Sequence, residues 1–303
     1  MLFKHTFSIF LNKYNLIFKL VIYFAIIVLI MTSITLAFVS PMFKRVRDEI
    51  KETHFIDNLN KATKEFLTGD EAYQETVKQL TIDWRKVLDS FEDSKLVLAI
   101  VVTAIFLLAT YFLTFLSYFS LSDITNEFMM DNAKYGFLSN MLYNLGKSAL
   151  FALLFLVITI PLNVLIFGAA YFILWGVTKI SSLLLALPLT ILFLLIIFAL
   201  QNTIFSAWLP AVTRDGLSVT KALRECFKNV KPMFSEAFGL FVMINFLGTI
   251  WIFLCTFATF GIGFIIAVPS IVIFKRCAEL VLYYNSKKYK YYVDRDKVVQ
   301  GGF

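Results

Sequence analysis

Long runs of apolar residues constrain this chain more than any other feature of its sequence. The first run covers residues 16–39, and several more follow within residues 96–303. About 20 consecutive apolar residues, folded as a helix, cross a hydrocarbon core roughly 30 Å thick. The chain is 59% hydrophobic and 16% charged, which is more apolar than a soluble domain can accommodate in its core. The sequence therefore predicts an all-α, polytopic transmembrane helical bundle.

The apolar runs divide the chain into about six predicted spans. They lie near residues 16–39, 96–119, 148–175, 182–208, 237–258 and 264–284. Residues 1–15 are predicted to form an interfacial helix ahead of the first span, because Phe3, Phe7 and Phe10 recur at helical spacing. Residues 96–303 are predicted to form a five-span bundle with cytoplasmic amphipathic connectors and a basic C-terminal tail.

Residues 42–95 differ from the rest of the chain. They hold ten basic and twelve acidic residues, and their apolar residues recur every three or four positions, which is typical of a water-exposed helical pair. The second helix of the pair carries an apolar stripe at Tyr73, Val77, Leu80, Trp84, Val87 and Phe91. This stripe either packs the two helices together or docks a partner.

The distribution of charge predicts the orientation in the membrane. The chain carries a net charge of +7, and residues 42–95 are acidic overall, so the remaining segments hold the positive charge. Basic residues near span ends mark the cytoplasmic side, which places both termini in the cytoplasm and residues 42–95 outside. An even number of spans agrees with this orientation. The expected location is the plasma membrane, and nucleic acid is not an expected partner, because no soluble domain carries a basic groove.

Polar residues inside the predicted spans are the candidate functional residues. Charges at membrane depth cost about 2.5–3.5 kcal/mol each, which makes them functional candidates by default. Lys275 and Glu279 are four residues apart on one helix and close enough to pair; alternatively the span ends early and its bases reach the headgroups. Uncharged candidates either hydrogen-bond between helices or line a polar path. The full set is Asn163, Gln201, Asn202, Asn245, Lys275, Arg276 and Glu279.

Two amphipathic segments, residues 131–147 and 215–231, each follow one apolar span and precede another. Each begins with an acidic residue and ends in a lysine, so they are either copies of an internal repeat or ordinary connectors. Both are predicted to lie along the membrane surface. Gly168, Gly239 and Gly248 are further candidates for sites where helices approach closely.

The sequence predicts no catalytic, cofactor or metal site. It has no GxxxxGK[ST] loop, GxGxxG turn or HExxH pair. Its two histidines, His5 and His54, are predicted on opposite sides of the membrane. Its three cysteines lack metal-ligand spacing and are expected to be reduced and structural.

The C-terminal third resembles a known group of proteins. The residues that carry the resemblance are Trp208-Leu209-Pro210-Ala211-Val212, Asp215-Gly216-Leu217-Ser218, Lys221-Ala222-Leu223, Lys231-Pro232-Met233-Phe234 and Leu282-Tyr283-Tyr284. They are similar to a pattern in uncharacterised bacterial six-span membrane proteins related to the membrane region of some glycerophosphodiester phosphodiesterases. The resemblance implies a bacterial inner membrane and transfers no catalytic residues. The long segment 42–95 departs from the pattern.

Three functions remain open at the level of the sequence. The leading hypothesis is a noncatalytic multi-pass membrane protein that acts in envelope or lipid-related assembly through partner proteins. The alternative is the permease subunit of a transporter, which requires a separate ATPase as its partner because the chain lacks a nucleotide site. The third is a lipid-modifying membrane enzyme with Glu127, Asp131 or Glu279 as its acid or base. The sequence leaves the oligomeric state open.

Overall fold

The fold is all-α, as the apolar runs predict. The computed structural model describes residues 2–52, 54–68, 75–76, 93–130, 136–180, 183–290, 292–294 and 297–298. Its helices are α1 (Leu2–Asn12), α2 (Asn15–Glu52), α3 (Phe55–Thr68), α4 (Asp93–Met129), α5 (Phe137–Tyr143), α6 (Leu145–Ile180), α7 (Leu183–Phe205), α8 (Trp208–Thr213), α9 (Val219–Ala258) and α10 (Phe264–Ser286). Within these residues the only sheet is a short antiparallel pair, β1 (Tyr292–Asp294) with β2 (Lys297–Val298).

The chain divides into two compact units, residues 26–110 and residues 1–25 with 111–303. The smaller unit contains α3, on which Lys61 pairs with Glu65 at 3.7 Å. Thr76 donates a hydrogen bond of 2.6 Å to the Glu65 carboxylate, so the chain returns to α3 after that helix ends. The apolar stripe predicted between Tyr73 and Phe91 lies outside the described residues, so the predicted helical pair stays a prediction.

Among the described residues, about five helices are apolar enough to be spans, rather than the six predicted. The helices that are long and apolar enough to cross a membrane include Asn15–Ser33, Ile100–Met129, Leu145–Lys179, Leu185–Thr213 and Val219–Ala258. The sixth predicted span does form a helix, α10, but charged residues occupy its second half. Two of them, Arg276 and Glu279, are buried by neighbouring helices instead of facing lipid, so α10 is the central helix of the larger unit. The first span also extends beyond its predicted end, because α2 continues through Pro41 to Glu52.

Helices of the larger unit pack antiparallel to their neighbours in the chain. Gln201 on α7 contacts Asn163 on α6, and Phe198 contacts Phe167. On α9, Asn245 bonds to Leu195 near the middle of α7, whereas Cys226 bonds to Ile204 near its end. Between α9 and α10, Gly248 of α9 lies against Ile271 of α10, and Asn285 of α10 donates a hydrogen bond to Glu236 of α9. α10 therefore returns along α9 to the end of the unit where α9 begins.

The core of the larger unit is formed around the second half of α10. Ile273, Cys277, Leu280, Val281 and Tyr284 are buried there against α1, α2 and α4. On its other faces, Ala278 and Leu282 pack against α7 and α9, and Tyr283 packs in the cluster that contains Trp208 of α8. Apolar side chains on the outer faces of α4, α6, α7 and α9 are exposed, for example Leu165, Phe172 and Phe253. This inverted distribution is what lipid-facing helices require, since acyl chains solvate them.

Two of the segments predicted to lie along the membrane surface, α1 and residues 219–231, pack against other helices of the protein. α1 places Phe3, Phe7 and Phe10 around the ring of Phe274 on α10, with ring centroids 5.5–6.5 Å apart. Residues 219–231 form the first part of the continuous helix α9 rather than a separate helix. Their apolar face, including Val219, Ala222 and Cys226, is buried against Trp208, because this face fits the protein core as well as it would fit lipid.

The two segments of the proposed repeat have different structures. Residues 136–147 form the short helix α5 and the start of α6, whereas the corresponding part of the second segment is an unbroken helix. The described residues thus give no structural support to an internal repeat.

Candidate functional site

The seven polar residues predicted within spans come together in one region of the larger unit, although they belong to four helices. Asn163 lies on α6, Gln201 and Asn202 lie on α7, and Asn245 lies on α9. Lys275, Arg276 and Glu279 of α10 face this group. We call this set the buried polar cluster.

The Arg276–Glu279 ion pair is the centre of the buried polar cluster. The Arg276 Nη1 atom lies 2.7 Å from Glu279 Oε2, and the two side chains are 9% and 4% exposed. The Arg276 guanidinium also stacks over the ring of Tyr118, with its carbon 4.7 Å from the ring centroid. The predicted pairing of Lys275 with Glu279 is therefore wrong. Arg276 pairs with Glu279 instead, because a spacing of three residues suits a helix as well as a spacing of four and Arg276 points into the bundle. Its burial shows that Arg276 packs inside the bundle; the alternative in which the bases of α10 lie at the depth of the headgroups stays a prediction.

Lys275 is oriented towards a different part of the cluster. It lines a cavity of about 230 Å³ together with Asn202, Asn245 and Thr249. Among the described residues no carboxylate lies within ion-pair distance of its ammonium group. A half-buried ammonium beside amide side chains favours an anionic or carbonyl-bearing group as its neighbour.

The neutral members of the cluster brace the helices against one another. The Gln201 amide donates to Asn163 Oδ1 at 3.2 Å, linking α7 to α6. The Asn245 amide donates to the carbonyl of Leu195 at 3.1 Å, linking α9 to α7. Interhelical bonds of this kind contribute about 0.6–2 kcal/mol each within a membrane.

Two hydrogen-bond donors of the buried polar cluster have no acceptor among the described residues. In the described residues, Asn202 Nδ2 and Arg276 Nε are buried without a hydrogen-bond partner. Both residues line a small cavity of about 20 Å³ between α6, α7 and α10, which is close to the volume needed for one water molecule. An unpaired buried donor costs about 1–3 kcal/mol, so a small polar group bound here would relieve that cost.

Close helix approach is confirmed at one of the three predicted glycines. A Cβ atom added to Gly248 would lie 3.1 Å from Ile271 Cδ1, so α9 and α10 touch at this position. Gly168 and Gly239 have nothing within 4 Å of an added Cβ, and the prediction is wrong for them.

A second polar site, which the sequence did not predict, lies at the end of the larger unit. Tyr284 donates to Asn126 Oδ1 at 2.7 Å, and Asn126 donates to the Thr213 carbonyl at 3.2 Å. Both Tyr283 and Tyr289 donate to the carboxylate of Asp215. The Arg214 guanidinium lies over the Tyr284 and Tyr289 rings. We call this set the end network: Asn126, Thr213, Arg214, Asp215, Tyr283, Tyr284 and Tyr289.

The end network ties the C-terminal end of α10 to α4 and to the turn before α9. Gly216 takes a positive φ of 66° in that turn, a conformation that glycine adopts without strain. Trp208 donates to the carbonyl of Val219 at 2.9 Å and closes the turn from inside. Partial burial and the Asp215 carboxylate raise the pKa of Tyr289, so its phenol stays protonated and remains a donor.

Three residues of the end network, Asp215, Tyr283 and Tyr284, belong to the sequence pattern described above. Trp208, Asp215 and Tyr283 belong to that pattern and contact the same turn. Comparison of the chain with protein-family models, with curated proteins and with solved structures gave no match. The resemblance to the membrane region of glycerophosphodiester phosphodiesterases thus stays a prediction, and the structure gives the pattern a physical role in holding the turn.

The described residues contain no group of three or more His, Cys, Asp or Glu side chains placed to hold a metal ion. Cys226 and Cys277 are buried free thiols, and Cys255 is a half-buried free thiol. Asp131, one of three acids considered for lipid chemistry, lies outside the described residues. Glu279, another of them, is held by Arg276. The class that the fold defines is a multi-pass membrane protein.

Proposed function

We propose that this protein is a noncatalytic multi-pass membrane component that acts in envelope or lipid-related assembly by binding a partner protein. The observation that carries the proposal is the internal pairing of the buried polar cluster. Gln201 donates to Asn163 of the neighbouring helix. Arg276 is paired with Glu279 of its own helix and stacks on Tyr118 of α4, so the cluster holds neighbouring helices together. A bundle braced in this way is suited to present fixed surfaces to partners.

One such surface is the outer face of α5. Leu138, Leu142 and Tyr143 are 57%, 61% and 73% exposed, although this short helix lies next to the polar end of α4. Its inner face is fixed, because Asn140 and Asn144 both donate to the Asp123 carboxylate, at 2.7 and 3.1 Å. Exposed apolar residues on a fixed element are typical of protein or membrane interaction sites.

Site-specific photo-crosslinking in native membranes tests the proposal. A photoreactive phenylalanine analogue at Leu142 is expected to yield one discrete protein adduct. The matched control is the same analogue at Leu165, an exposed apolar residue of α6 within a span, which is expected to yield no protein adduct. Identical lipid-only labelling at both positions would remove α5 as a partner-binding surface and with it the main support for this function.

The orientation in the plasma membrane is part of the proposal. Arg214, Lys287 and Lys288 lie at the end of the larger unit formed by the end network. Lys13 lies at the same end, over the Phe128 ring at 4.3 Å. Positive residues mark the cytoplasmic side of a membrane. We infer that this end, with both terminal segments, faces the cytoplasm and that residues 42–95 lie outside.

A permease is the second candidate, and one observation favours it. Lys275, Asn202 and Asn245 line one open cavity of about 230 Å³. A solute-binding site in a transporter needs such groups near the middle of the membrane. Counterflow of a labelled solute into proteoliposomes that is lost in Lys275→Met would support the permease; equal retention in empty vesicles and proteoliposomes, with and without a co-purified ATPase, would exclude it.

A further inference from the structure

A groove runs along one side of α9, between that helix, α1 and α10. It consists of two cavities, of about 750 Å³ and about 490 Å³. Phe3 lines both of them. On α9 the lining passes from Glu236 and Met243 in the larger cavity to Ile244 and Trp251 in the smaller one. The two cavities thus follow one another along the helix axis.

The groove is polar at one end and apolar at the other. Its larger cavity is lined by His5, Glu236, Asn285 and Lys288. Its smaller cavity is lined by phenylalanines of α1, by Phe274 and by aliphatic side chains. This order of polarity along the axis is that of a membrane amphiphile, whose headgroup and hydrocarbon chain separate at the interface.

The length of the groove corresponds to one leaflet. Glu236 and Trp251 are separated along α9 by about 22 Å at 1.5 Å per residue. A bilayer is roughly 40–45 Å thick with its headgroup regions, so one leaflet is about 20–22 Å. The polar end includes Tyr289 of the end network, and the apolar end lies beside the half of α9 whose apolar side chains are exposed, such as Phe246 and Phe253. A single lipid therefore fits the groove from headgroup to chain.

The polar end offers one cation and one anion. Lys288 is exposed and carries the positive charge, since burial lowers the pKa of His5 and leaves its imidazole neutral near pH 7. The Glu236 carboxylate accepts a hydrogen bond of 3.3 Å from Asn285, which holds it at the cavity wall. This pairing complements a headgroup that carries both a phosphate and an ammonium group.

We propose that the groove binds one glycerophospholipid with an ammonium-bearing, zwitterionic headgroup. Lys288 binds the phosphate, Glu236 accepts from the ammonium group, and one acyl chain lies against Phe7, Phe10 and Phe274. Lipid binding in the groove needs no partner protein, so its test is independent of the test of the α5 surface.

Native mass spectrometry of the full-length protein, delipidated in detergent and titrated with palmitoyl-oleoyl phosphatidylethanolamine, tests the site. Leu247→Trp places an indole in the apolar cavity from an exposed position. We expect a roughly tenfold or greater weakening of the tightest binding event. Phe246→Trp is the matched control, since Phe246 is similarly exposed on the same helix but does not line the groove. The affinity of this variant should equal that of the wild type.

The headgroup is tested with a second pair of variants at exposed lysines. Lys288→Gln should weaken phosphatidylethanolamine binding roughly tenfold, as expected for loss of a charge-assisted contact, whereas Lys290→Gln should not. The wild type should also prefer phosphatidylethanolamine to phosphatidylglycerol, and Glu236→Gln should remove that preference. Equal affinities across both pairs of variants, or a preference for phosphatidylglycerol, would overturn the proposal. Neither exposed lysine contributes to the core, so a loss of folding cannot conceal the result.

Discussion

The buried charges of the bundle are stabilised by contacts between individual side chains. Arg276 and Glu279 are both removed from solvent, and each is stabilised by the other. Removal of one partner from a buried pair typically costs about 3–5 kcal/mol, whereas replacement of both by apolar residues of similar volume is often neutral. The contribution of the pair to stability can therefore be measured by comparing single and double variants.

We expect Glu279→Gln to lower the free energy of unfolding by about 3 kcal/mol, because Arg276 is left as a buried unpaired charge. The double variant Arg276→Met/Glu279→Leu should recover most of that loss. Both are measured as unfolding transitions of purified protein in detergent. A single variant as stable as the wild type would show that Arg276 reaches water or headgroups.

The Asp215 network provides a second prediction at this scale. Tyr283→Phe removes one hydrogen bond to the Asp215 carboxylate and should cost about 1.5–3 kcal/mol, as expected for a bond to a charged group. Tyr171→Phe, at a tyrosine that is 63% exposed, serves as the control and should leave the same unfolding transition unchanged. Equal transitions for the two variants would argue against a stabilising role for the end network.

The sequence predicted the seven residues as separate functional candidates, but neither that they come together nor which of the charged residues pair. Polar side chains are easy to recognise inside apolar runs, so all seven could be selected from the sequence alone. The choice between Lys275 and Arg276 as the partner of Glu279 depends on which face of α10 points into the bundle, and both spacings suit a helix. The end network was not predictable, because Tyr284 and Asn126 are 158 residues apart in the chain.

At the scale of the elements, hydropathy predicted that the helices exist but not where they end. α2 continues past Pro41, and the amphipathic residues 219–231 join the following span in α9. A periodic apolar face is equally compatible with lipid and with protein, so the sequence could not distinguish a surface helix from a packed one. Only tertiary contacts, such as those of Phe274 with α1, decide between them.

The contact of α9 with α10 at Gly248 yields a prediction for these elements. Gly248→Val forces methyl groups against Ile271, which lies at 3.1 Å from an added Cβ, and overpacking of this kind costs about 1–3 kcal/mol. Gly239→Val on the same helix meets no atom within 4 Å and should be tolerated. Unfolding transitions of the two variants in detergent provide the comparison. Equal stability would mean that the two helices do not pack at Gly248.

At the scale of the whole molecule, α10 decides the topology. In the part of the chain that the structure describes, five helices satisfy the length and composition of a span, and α10 returns along α9 with Arg276 and Glu279 buried. The proposed orientation then places both terminal segments on one side. A membrane-impermeant maleimide should label Lys290→Cys only after inverted vesicles are prepared and Lys61→Cys only in right-side-out cells, with the wild-type protein as the control for background labelling. Labelling of both positions from the same side would refute the orientation.

The partition of the protein between membrane and water tests its basic physical character. Exposed apolar faces such as those of Leu165, Phe172 and Phe253 are stable only among acyl chains or detergent. After expression without detergent and washing of membranes with alkaline carbonate, all of the protein should sediment with the lipid and enter solution only with detergent. A monodisperse protein in the carbonate supernatant would contradict the assignment as a multi-pass membrane protein.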